Sequence, residues 1–313
     1  MGSKFELLNI DRQYFVRCCE VEAKAFNQLR NEWGQPRQQP RRLEWLNYFM
    51  GRFPNNGVIA LQGGEIIGFA LAHNFGSLGW IGPLVVMPEN QGMGVGRALT
   101  NWAIEYLKEQ GSLTIGLETW PHNIITLGLY LNMGLVPGPL ILVLKKRCTS
   151  DQIIFSGGRI TEYGTPELIF SGLRKLSEKI CPGLDYVSLA RTIIDCKMGE
   201  VIYWGKEEDP NAVAIVRHQS YFQNTLLDST NIDLLMIRPG KEKMLKMMIS
   251  ELESLTIDRG LTEFRMSVGS HSPQYLTSLV RDHKFQVSKT RLRLYAKELP
   301  IPVNFVNFFS YSV

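Results

Sequence analysis

A glycine-rich loop between a predicted strand and a predicted helix constrains this chain more than any other feature of its sequence. An apolar segment at residues 84–87 precedes the loop, and Gly92, Gly94 and Gly96 stand at alternate positions. Glycines in this pattern let successive backbone N–H groups turn towards one point, and the helix that follows adds about half a positive charge at its N-terminus. The loop therefore predicts a site for a pyrophosphate group, with Arg97 beside it.

Two common phosphate-binding motifs do not fit this loop. A P-loop needs Lys followed by Ser or Thr after its last glycine, where this chain has Arg97 and Ala98. A dinucleotide fingerprint needs the spacing G-x-G-x-x-G, and Arg97 or Leu99 stands at the third position. Glu118 lies about 20 residues on, where a ribose-binding acid is expected, so a dinucleotide-dependent oxidoreductase stays open as an alternative. The antiparallel hairpin predicted at residues 57–72 argues against that alternative.

The chain resembles the GCN5-related N-acetyltransferases, the GNAT family, which transfer an acyl group from coenzyme A. Two motifs in the family's order carry the resemblance: a Gln-x-x-Gly-x-Gly type of loop after a V-x-P segment, and a helix that ends in a tyrosine and a glycine-aliphatic pair. They occupy residues 86–96 and 123–135, the second with Leu129-Tyr130 and Gly134-Leu135. The resemblance covers about residues 5–147.

The resemblance implies how acetyl-CoA, the expected co-substrate, would bind. The loop would hold its pyrophosphate, and the strand before the loop would splay from its neighbour to admit the pantetheine arm. Gly82-Pro83 in that strand predicts a bulge or an edge, because proline cannot donate to a ladder. The expected cofactor-binding residues are Leu84, Val85, Val86, Gln91, Gly92, Met93, Gly94, Val95, Gly96, Arg97, Asn123 and Tyr130.

The predicted catalytic residues are Tyr130 and Glu118. A phenol has an ordinary pKa of about 10, so Tyr130 would be protonated at neutral pH and would give its proton to the departing thiolate, unless it only packs in the core. By resemblance, the N–H of Val86 would stabilise the developing oxyanion. The strand before the loop carries no carboxylate where many relatives have a general base. Glu118, His73 and His122 are therefore candidates for the base, and water is the alternative.

The acceptor is expected to be an amine, and its identity is not written in the sequence. Trp33, Trp80 and Trp120 are candidates to line a pocket for an apolar or planar amine, or else are core and rim residues. Residues 31–42, rich in Gln, Pro and Arg, form either a solvated connection or a lid over that pocket.

The predicted fold class is α/β with two GNAT-like domains, each a twisted mixed β-sheet flanked by helices. The predicted divisions are an acetyltransferase domain at residues 1–147, which a strand at 135–146 closes, a linker with a helix at 148–184, and a degenerate GNAT-like domain at 185–313. An unrelated α+β substrate domain is the alternative for the last part.

The second half repeats the order of elements of the first half without its chemistry. The replacing residues are Lys243, Leu245 and Met247 for the three glycines and Val280 for Tyr130. We therefore expect one acetyl-CoA per chain. The second half would complete a sheet, shape the acceptor site or mimic a homodimer partner.

Composition excludes several classes of function. A formal charge of +4 from scattered Lys and Arg gives little electrostatic basis for binding nucleic acid. Five cysteines without a C-x-x-C pair indicate reduced thiols in a cytoplasm and predict no metal site. No apolar run reaches the ~18 residues of a membrane span. The sequence predicts a cytoplasmic acyltransferase that is a monomer with an internal pseudo-dimer or a homodimer. The alternative is a non-catalytic acyl-CoA-binding or regulatory protein.

Overall fold

A computed structural model shows an α/β protein built on one continuous mixed sheet. It describes residues 5–52, 55–149, 155–160, 166–219, 226–296 and 307–309. The strands are β1 (Glu6–Asn9), β2 (Gly57–Gln62), β3 (Glu65–Phe75), β4 (Leu78–Val86), β5 (Thr114–Thr119), β6 (Val136–Arg147), β7 (Gly158–Ile160), β8 (Gly199–Lys206), β9 (Asp209–Gln219), β10 (Leu226–Ile237), β11 (Glu263–Gly269), β12 (Gln286–Tyr295) and β13 (Asn307–Phe309). The helices are α1 (Phe15–Glu32), α2 (Leu43–Arg52), α3 (Val95–Glu109), α4 (Ile124–Asn132), α5 (Glu167–Ile180), α6 (Val187–Asp195), α7 (Met244–Asp258) and α8 (Pro273–Arg281).

The strands of the second half follow one another from one edge of the sheet in the same order as the corresponding strands of the first half from the other edge. Its order is β1-β2-β3-β4-β5-β12-β6-β11-β10-β9-β8-β7, and β13 pairs with β10. The parallel pair β4 and β5 of the first half corresponds to the parallel pair β10 and β11 of the second. The elements between β7 and β12 thus repeat those between β1 and β6, which confirms the tandem arrangement of helices and strands.

The two halves exchange their last strands, which the sequence did not predict. Strand β6 does not close the sheet of the first half, because it pairs with β12 and β11. Strand β12 takes the place beside β5, where Leu294 lies opposite Leu117. The alternation of apolar and polar residues fixes which face of a strand is buried, but it does not specify the edge that the strand joins.

The segment predicted as a linker with a helix contains a strand as well as a helix. Strand β7 pairs antiparallel with β8, as β1 pairs with β2. Helix α5 has seven buried residues on one face, among them Ile169, Leu173 and Leu176. These elements correspond to β1 and α1, so the repeat begins before residue 185.

The core lies on both faces of the sheet and crosses from one half to the other. Helices α1, α2, α5 and α6 share one apolar cluster, in which the rings of Phe75 and Tyr186 lie 5.8 Å apart. Ile59 faces that cluster, while its neighbours Val58 and Ala60 pack with α3 on the opposite face. Full burial of such a side chain contributes about 1.5–3 kcal/mol. Within the part of the chain that the structure describes, no helix is long and apolar enough to span a membrane.

Candidate active site

The glycine loop has the backbone conformation that its sequence predicts. Strand β4 ends at Val86, a short 3-10 turn follows, and α3 begins at Val95. Gly92 has φ = 77° and Gly94 has φ = 86°, a left-handed region in which a side chain is strained. Gly94 is the N-cap of α3, and no side chain caps that helix.

The backbone N–H groups of the loop lie in an exposed segment and are not bonded within the backbone. Among the described residues, the N–H groups of residues 92–97 make no backbone hydrogen bond, and the first N–H of the helix to be bonded is that of Ala98, to the Gly94 carbonyl at 3.0 Å. Gln91, Gly92, Met93, Gly94 and Arg97 are exposed. Unbonded N–H groups at the start of a helix form an anion-binding site, because the helix dipole adds partial positive charge there.

Strands β4 and β5 separate into a fork beside this loop. They pair only from Leu78 opposite Thr114 to Trp80 opposite Gly116. Strand β4 continues along β3 beyond that point, with a register shift where Gly82-Pro83 lies. The predicted bulge is therefore present. The fork leaves one edge of β4 unpaired by β5 at residues 84–86, the segment predicted to hold the pantetheine arm.

Alternation along β4 determines the direction of the Val86 N–H. The N–H of the next residue, Met87, donates to the Ile67 carbonyl on β3 at 2.8 Å. Successive N–H groups of an extended strand point to opposite edges, so the Val86 N–H points away from β3 and into the fork. This geometry makes Val86 available as a donor to a ligand in the fork.

Helices α3 and α4 meet at the fork. A Cβ atom added to Gly96 would lie 3.0 Å from Leu129 Cδ2 and 3.7 Å from Val86 Cγ2, so only glycine lets the two helices approach this closely. Asn123 begins α4 as its N-cap, and its Oδ1 accepts from the Thr126 N–H at 3.1 Å. The side-chain oxygen of Asn123 therefore has a structural role, and its predicted contact with the cofactor stays a prediction.

Tyr130 lies on α4 in the apolar cluster between α3, β4 and β5. The residue is 4% exposed, and its cluster includes Ile81 on β4 and Leu117 on β5, the two strands of the fork. Burial raises the pKa of Tyr130, so the phenol stays protonated at neutral pH. The raised pKa also makes the phenol a weaker acid, so the role of Tyr130 as proton donor stays a prediction.

Glu118 is held by two arginines of the second half. Its side chain is 4% exposed, and Oε1 accepts from Arg293 Nη2 at 2.6 Å while Oε2 accepts from Arg291 Nη1 at 3.4 Å. A carboxylate paired in this way favours a structural role over that of general base, which stays a prediction. Sequence reasoning did not find Arg291 and Arg293, because they reach Glu118 only through the strand exchange.

The two candidate histidines have different environments. His73 is 3% exposed, its Nε2 lies 2.5 Å from the Gly82 carbonyl, and burial lowers its pKa to about 3. A group with so low a pKa is a weak base at neutral pH. His122 is exposed at the start of α4, and its ring lies 4.3 Å from that of Trp33.

An aromatic wall borders the end of β5. The rings of Trp33 and Trp120 lie 5.0 Å apart at 86°, an edge-to-face contact, and Phe26 packs on Trp120 at 6.1 Å. Trp33 and Trp120 are both half-buried. Trp80 does not belong to this wall, because it is 1% exposed in the core, with the guanidinium of Arg293 4.9 Å from its ring centre.

The segment that follows α1 is fixed to that helix. Asn27 exchanges two hydrogen bonds with the backbone of Gln38, at 2.8 and 2.6 Å. Arg41 forms a buried ion pair with Glu22 at 2.6 Å. The Arg30 Nε donates to the Pro36 carbonyl. These contacts hold residues 35–42 against α1 and support an ordered wall rather than an open loop.

The corresponding loop of the second half fills its own anion site. Helix α7 has Lys243 as its N-cap, so Lys243 corresponds to Gly94 and not to Gly92 as the sequence predicted; this loop is two residues shorter. The carboxylate of Glu242 accepts from the Gly240 N–H at 2.7 Å. The Leu245 N–H donates to the Glu242 carbonyl at 3.0 Å. Donors that face outwards in the first loop are thus bonded within the second.

The fork of the second half is closed by the chain itself. Strands β10 and β11 pair from Ser229 to Ile232, and beyond that point β13 pairs with β10 at residues 234–236. Leu279, which is fully buried, occupies the place of Tyr130. The Phe285 N–H bonds to the Leu279 carbonyl, as the Leu135 N–H bonds to the Tyr130 carbonyl. The sequence assigned that place to Val280, one residue further on.

Comparisons with known proteins agree with this geometry. The model of the acetyltransferase (GNAT) family matches residues 20–135. A presumed acetyltransferase from Pyrococcus horikoshii has a similar structure, with 12% identity, a TM-score of 0.69 and coverage of 99% of this chain and 96% of that one. A GCN5-related N-acetyltransferase from Sphaerobacter thermophilus has 14% identity and a TM-score of 0.61, with 94% and 96% covered.

A tandem GNAT protein from the clavulanic acid biosynthesis pathway is also similar, with 13% identity, a TM-score of 0.59 and coverage of 95% of this chain and 99% of that one. A search of curated protein sequences gave no match. At these identities the solved structures show only the fold, and the family match indicates the class of protein, an acetyltransferase. Residues 20–135 therefore match the acetyltransferase (GNAT) family, and the chain as a whole shares its fold with solved GNAT structures, a tandem GNAT protein among them.

Proposed function

We propose that this protein is an N-acetyltransferase that binds acetyl-CoA in its first half and transfers the acetyl group directly to an amine in a ternary complex. One observation supports this above all: the N–H groups of residues 92–97 that make no backbone hydrogen bond and the open fork of β4 and β5 belong to the same half. The second half lacks both, because the N–H groups of Met244 and Leu245 bond to the carbonyls of Lys241 and Glu242 and β13 pairs along β10 where its fork would open.

The first half offers donors that suit the two ends of acetyl-CoA. The loop N–H groups and exposed Arg97 would hold the pyrophosphate, and the unpaired edge of β4 at residues 84–86 would bind the amide groups of the pantetheine arm. Val86 would direct its N–H at the thioester oxygen. Bound acetyl-CoA supplies an activated acyl group, and the protein supplies its position.

Tyr130 completes the proposed chemistry. The amine nitrogen forms a bond to the acyl carbon, the carbon–sulfur bond breaks, and the sulfur takes the proton of Tyr130, which solvent then restores. We propose that the amine loses its proton to water, because Glu118 is engaged by Arg291 and Arg293 and burial keeps His73 a weak base.

We propose boundaries for the two units that differ from those predicted from the sequence. We propose a first unit at residues 5–147 and a second unit that begins at β7, since β7 and α5 correspond to β1 and α1. The exchange of β6 and β12 supports an internal pseudo-dimer, so we propose a monomer. Light scattering behind a sizing column tests this, and a dimeric mass would contradict it.

A thiol-release assay tests the function. Acetyl-CoA would be offered with amino acids, polyamines, aminoglycosides and peptide N-termini, and we expect release of free thiol that depends on one acceptor class. Binding of acetyl-CoA without turnover on any acceptor would instead support a non-catalytic acyl-CoA-binding protein. Preferential binding of NAD would instead support a dinucleotide-dependent oxidoreductase.

A further inference from the structure

We propose that the amine acceptor carries an anionic group, a carboxylate or a phosphate, which binds to a cationic area of the sheet where the two halves join. This inference rests on the proposed function, since it names the acceptor class of that reaction. The area, here called the junction face, consists of Arg30, Glu118, Lys145, Glu263, Arg265, Lys289, Arg291 and Arg293.

Strand register places these side chains on one face of the sheet. Lys289, Arg291 and Arg293 alternate along β12, and Arg293 lies opposite Glu118 on β5. Lys289 on β12 lies opposite Val143 on β6. Lys145, two residues from Val143 on β6, lies opposite Arg265 on β11. Residues two apart on a strand and residues paired across strands share a face.

That face is the one on which α1 packs. The ring of Trp80 lies in the cluster of α1 and α2, and the Arg293 guanidinium lies over this ring. Arg30 projects from the last turns of α1, three residues before Trp33 of the aromatic wall. Arg30 therefore lies near the aromatic wall, and its charge also acts on Lys289 of the junction face.

Cations outnumber carboxylates in this area. The described residues of the junction face include six basic side chains and two acidic ones, Glu118 and Glu263. Glu118 is shared by Arg291 and Arg293, and Glu263 lies 3.8 Å from Lys145 and also bonds Arg265. Arg30 and Lys289 make no ion pair with a carboxylate of the described residues, and this excess of positive charge favours binding of an anion.

Lys289 is the centre of this excess charge. Its ammonium makes no ion pair or hydrogen bond with any residue in the described part of the chain, although the side chain is exposed in a basic environment. Partial burial and the positive charges of Arg291, Arg30 and Arg265 lower the pKa of Lys289. A bound carboxylate or phosphate would relieve this repulsion, and the flanking guanidinium groups suit its oxygens.

The junction face lies within reach of the proposed reaction. The fork opens after Gly116, and Glu118 follows two residues along β5, about 7 Å away at the usual rise of a strand. Arg291 and Lys289 lie successive steps further along β12. An amine at the fork would therefore place an anionic group of the same small molecule beside Arg291 or Lys289, with Trp120 bordering it.

Paired acceptors that differ only in charge test the inference. The pairs are O-phosphoethanolamine and ethanolamine, β-alanine and β-alaninamide, and glucosamine 6-phosphate and glucosamine, each measured by thiol release. We expect lower KM values for the anionic members, and Lys289→Gln should raise those values about tenfold without changing the values for the neutral members. A difference in KM within the phosphate pairs would indicate a phosphate group, and one within the carboxylate pair would indicate a carboxylate. Equal use of anionic and neutral members would overturn the inference while leaving the proposed function intact.

A binding measurement without turnover separates this inference from the proposed function. Succinate and inorganic phosphate would be titrated at constant ionic strength while the fluorescence of the six tryptophans, Trp33 and Trp120 among them, is recorded. We expect saturable changes that Lys289→Gln weakens about tenfold. Lys246→Gln, on an exposed lysine of α7 on the opposite face, should leave them unchanged. An unsaturable response, or equal affinity in Lys289→Gln, would contradict the inference even if acetyl transfer is found.

Discussion

Arg293 on β12 and Glu118 on β5 form a buried ion pair that joins the two halves of the chain. The Arg293 Nη2 lies 2.6 Å from Glu118 Oε1, although 175 residues separate them in sequence. Their side chains are 6% and 4% exposed. Because a buried charge that loses its partner is destabilising, this pair holds β12 in register beside β5.

Replacing Glu118 tests whether it supports the fold or takes part in catalysis. We expect Glu118→Gln to lower the free energy of unfolding by about 3–5 kcal/mol, because Arg291 and Arg293 lose their carboxylate. Urea unfolding measures this, with Glu105→Gln as the control on an exposed ion pair. The pH profile of kcat/KM should keep its acid limb in folded Glu118→Gln. Loss of that limb with a rate lowered 100-fold or more would identify Glu118 as the general base.

Gly94→Glu should abolish binding of acetyl-CoA. Gly94 has φ = 86° and open space around its Cβ direction, so the new side chain would put a negative charge into the anion site. Wild-type affinity is expected in the range of about 1 μM to 1 mM. Gly111→Glu is a matched control, because Gly111 has φ = 83°, equally open space and a place at the other end of α3. Calorimetry that finds unchanged affinity in folded Gly94→Glu would remove the loop from the cofactor site.

Tyr130→Phe should slow the chemical step and leave binding intact. The change keeps the buried ring and removes only the hydroxyl, so kcat should fall by about 10²–10⁴-fold if Tyr130 donates the proton. Tyr106→Phe, on half-buried Tyr106 stacked against Trp102 on α3, should have little effect. Single-turnover measurement excludes product release as the limiting step. An unchanged rate would leave Tyr130 as a core residue.

One molecule of acetyl-CoA should bind per chain. In the second half the Leu245 N–H, which corresponds to that of Gly96, already bonds the Glu242 carbonyl, and β13 pairs along β10 where the fork would open. Calorimetry should give a stoichiometry of about one, and Gly94→Glu should reduce it to none. Two equivalent sites, or one site that survives in Gly94→Glu, would show that the second half binds the cofactor.

Buried His73 should make the protein sensitive to acid. Its pKa is lowered from 6.5 to about 3 by burial, so between these values the unfolded chain binds a proton that the folded chain does not. The stability that neutral His73 contributes is complete above pH 6.5 and is lost as the pH falls, by up to about 1.4 kcal/mol per unit. Urea unfolding at pH 7.5 and 5.5 should show a smaller loss in His73→Gln than in wild type. His122→Gln, at an exposed histidine, should behave as wild type.

The sequence by itself determined the local elements. The hairpin of β2 and β3, the bulge at Gly82-Pro83, the glycine loop and the start of α3 all depend on residues close in the chain. Alternating apolar residues, a proline without an N–H and glycines at positive φ are sufficient for these features. The order of elements in the second half followed from the same local patterns.

Only the tertiary structure decided which strands lie side by side. The exchange of β6 and β12 gave Glu118 its arginine partners, moved Trp80 under Arg293 and brought Lys289 towards Arg30. The sequence also did not predict that β13 closes the fork of the second half. These contacts join residues far apart in the chain, and their pairing depends on the packing of all the surrounding elements, which no local pattern of side chains encodes.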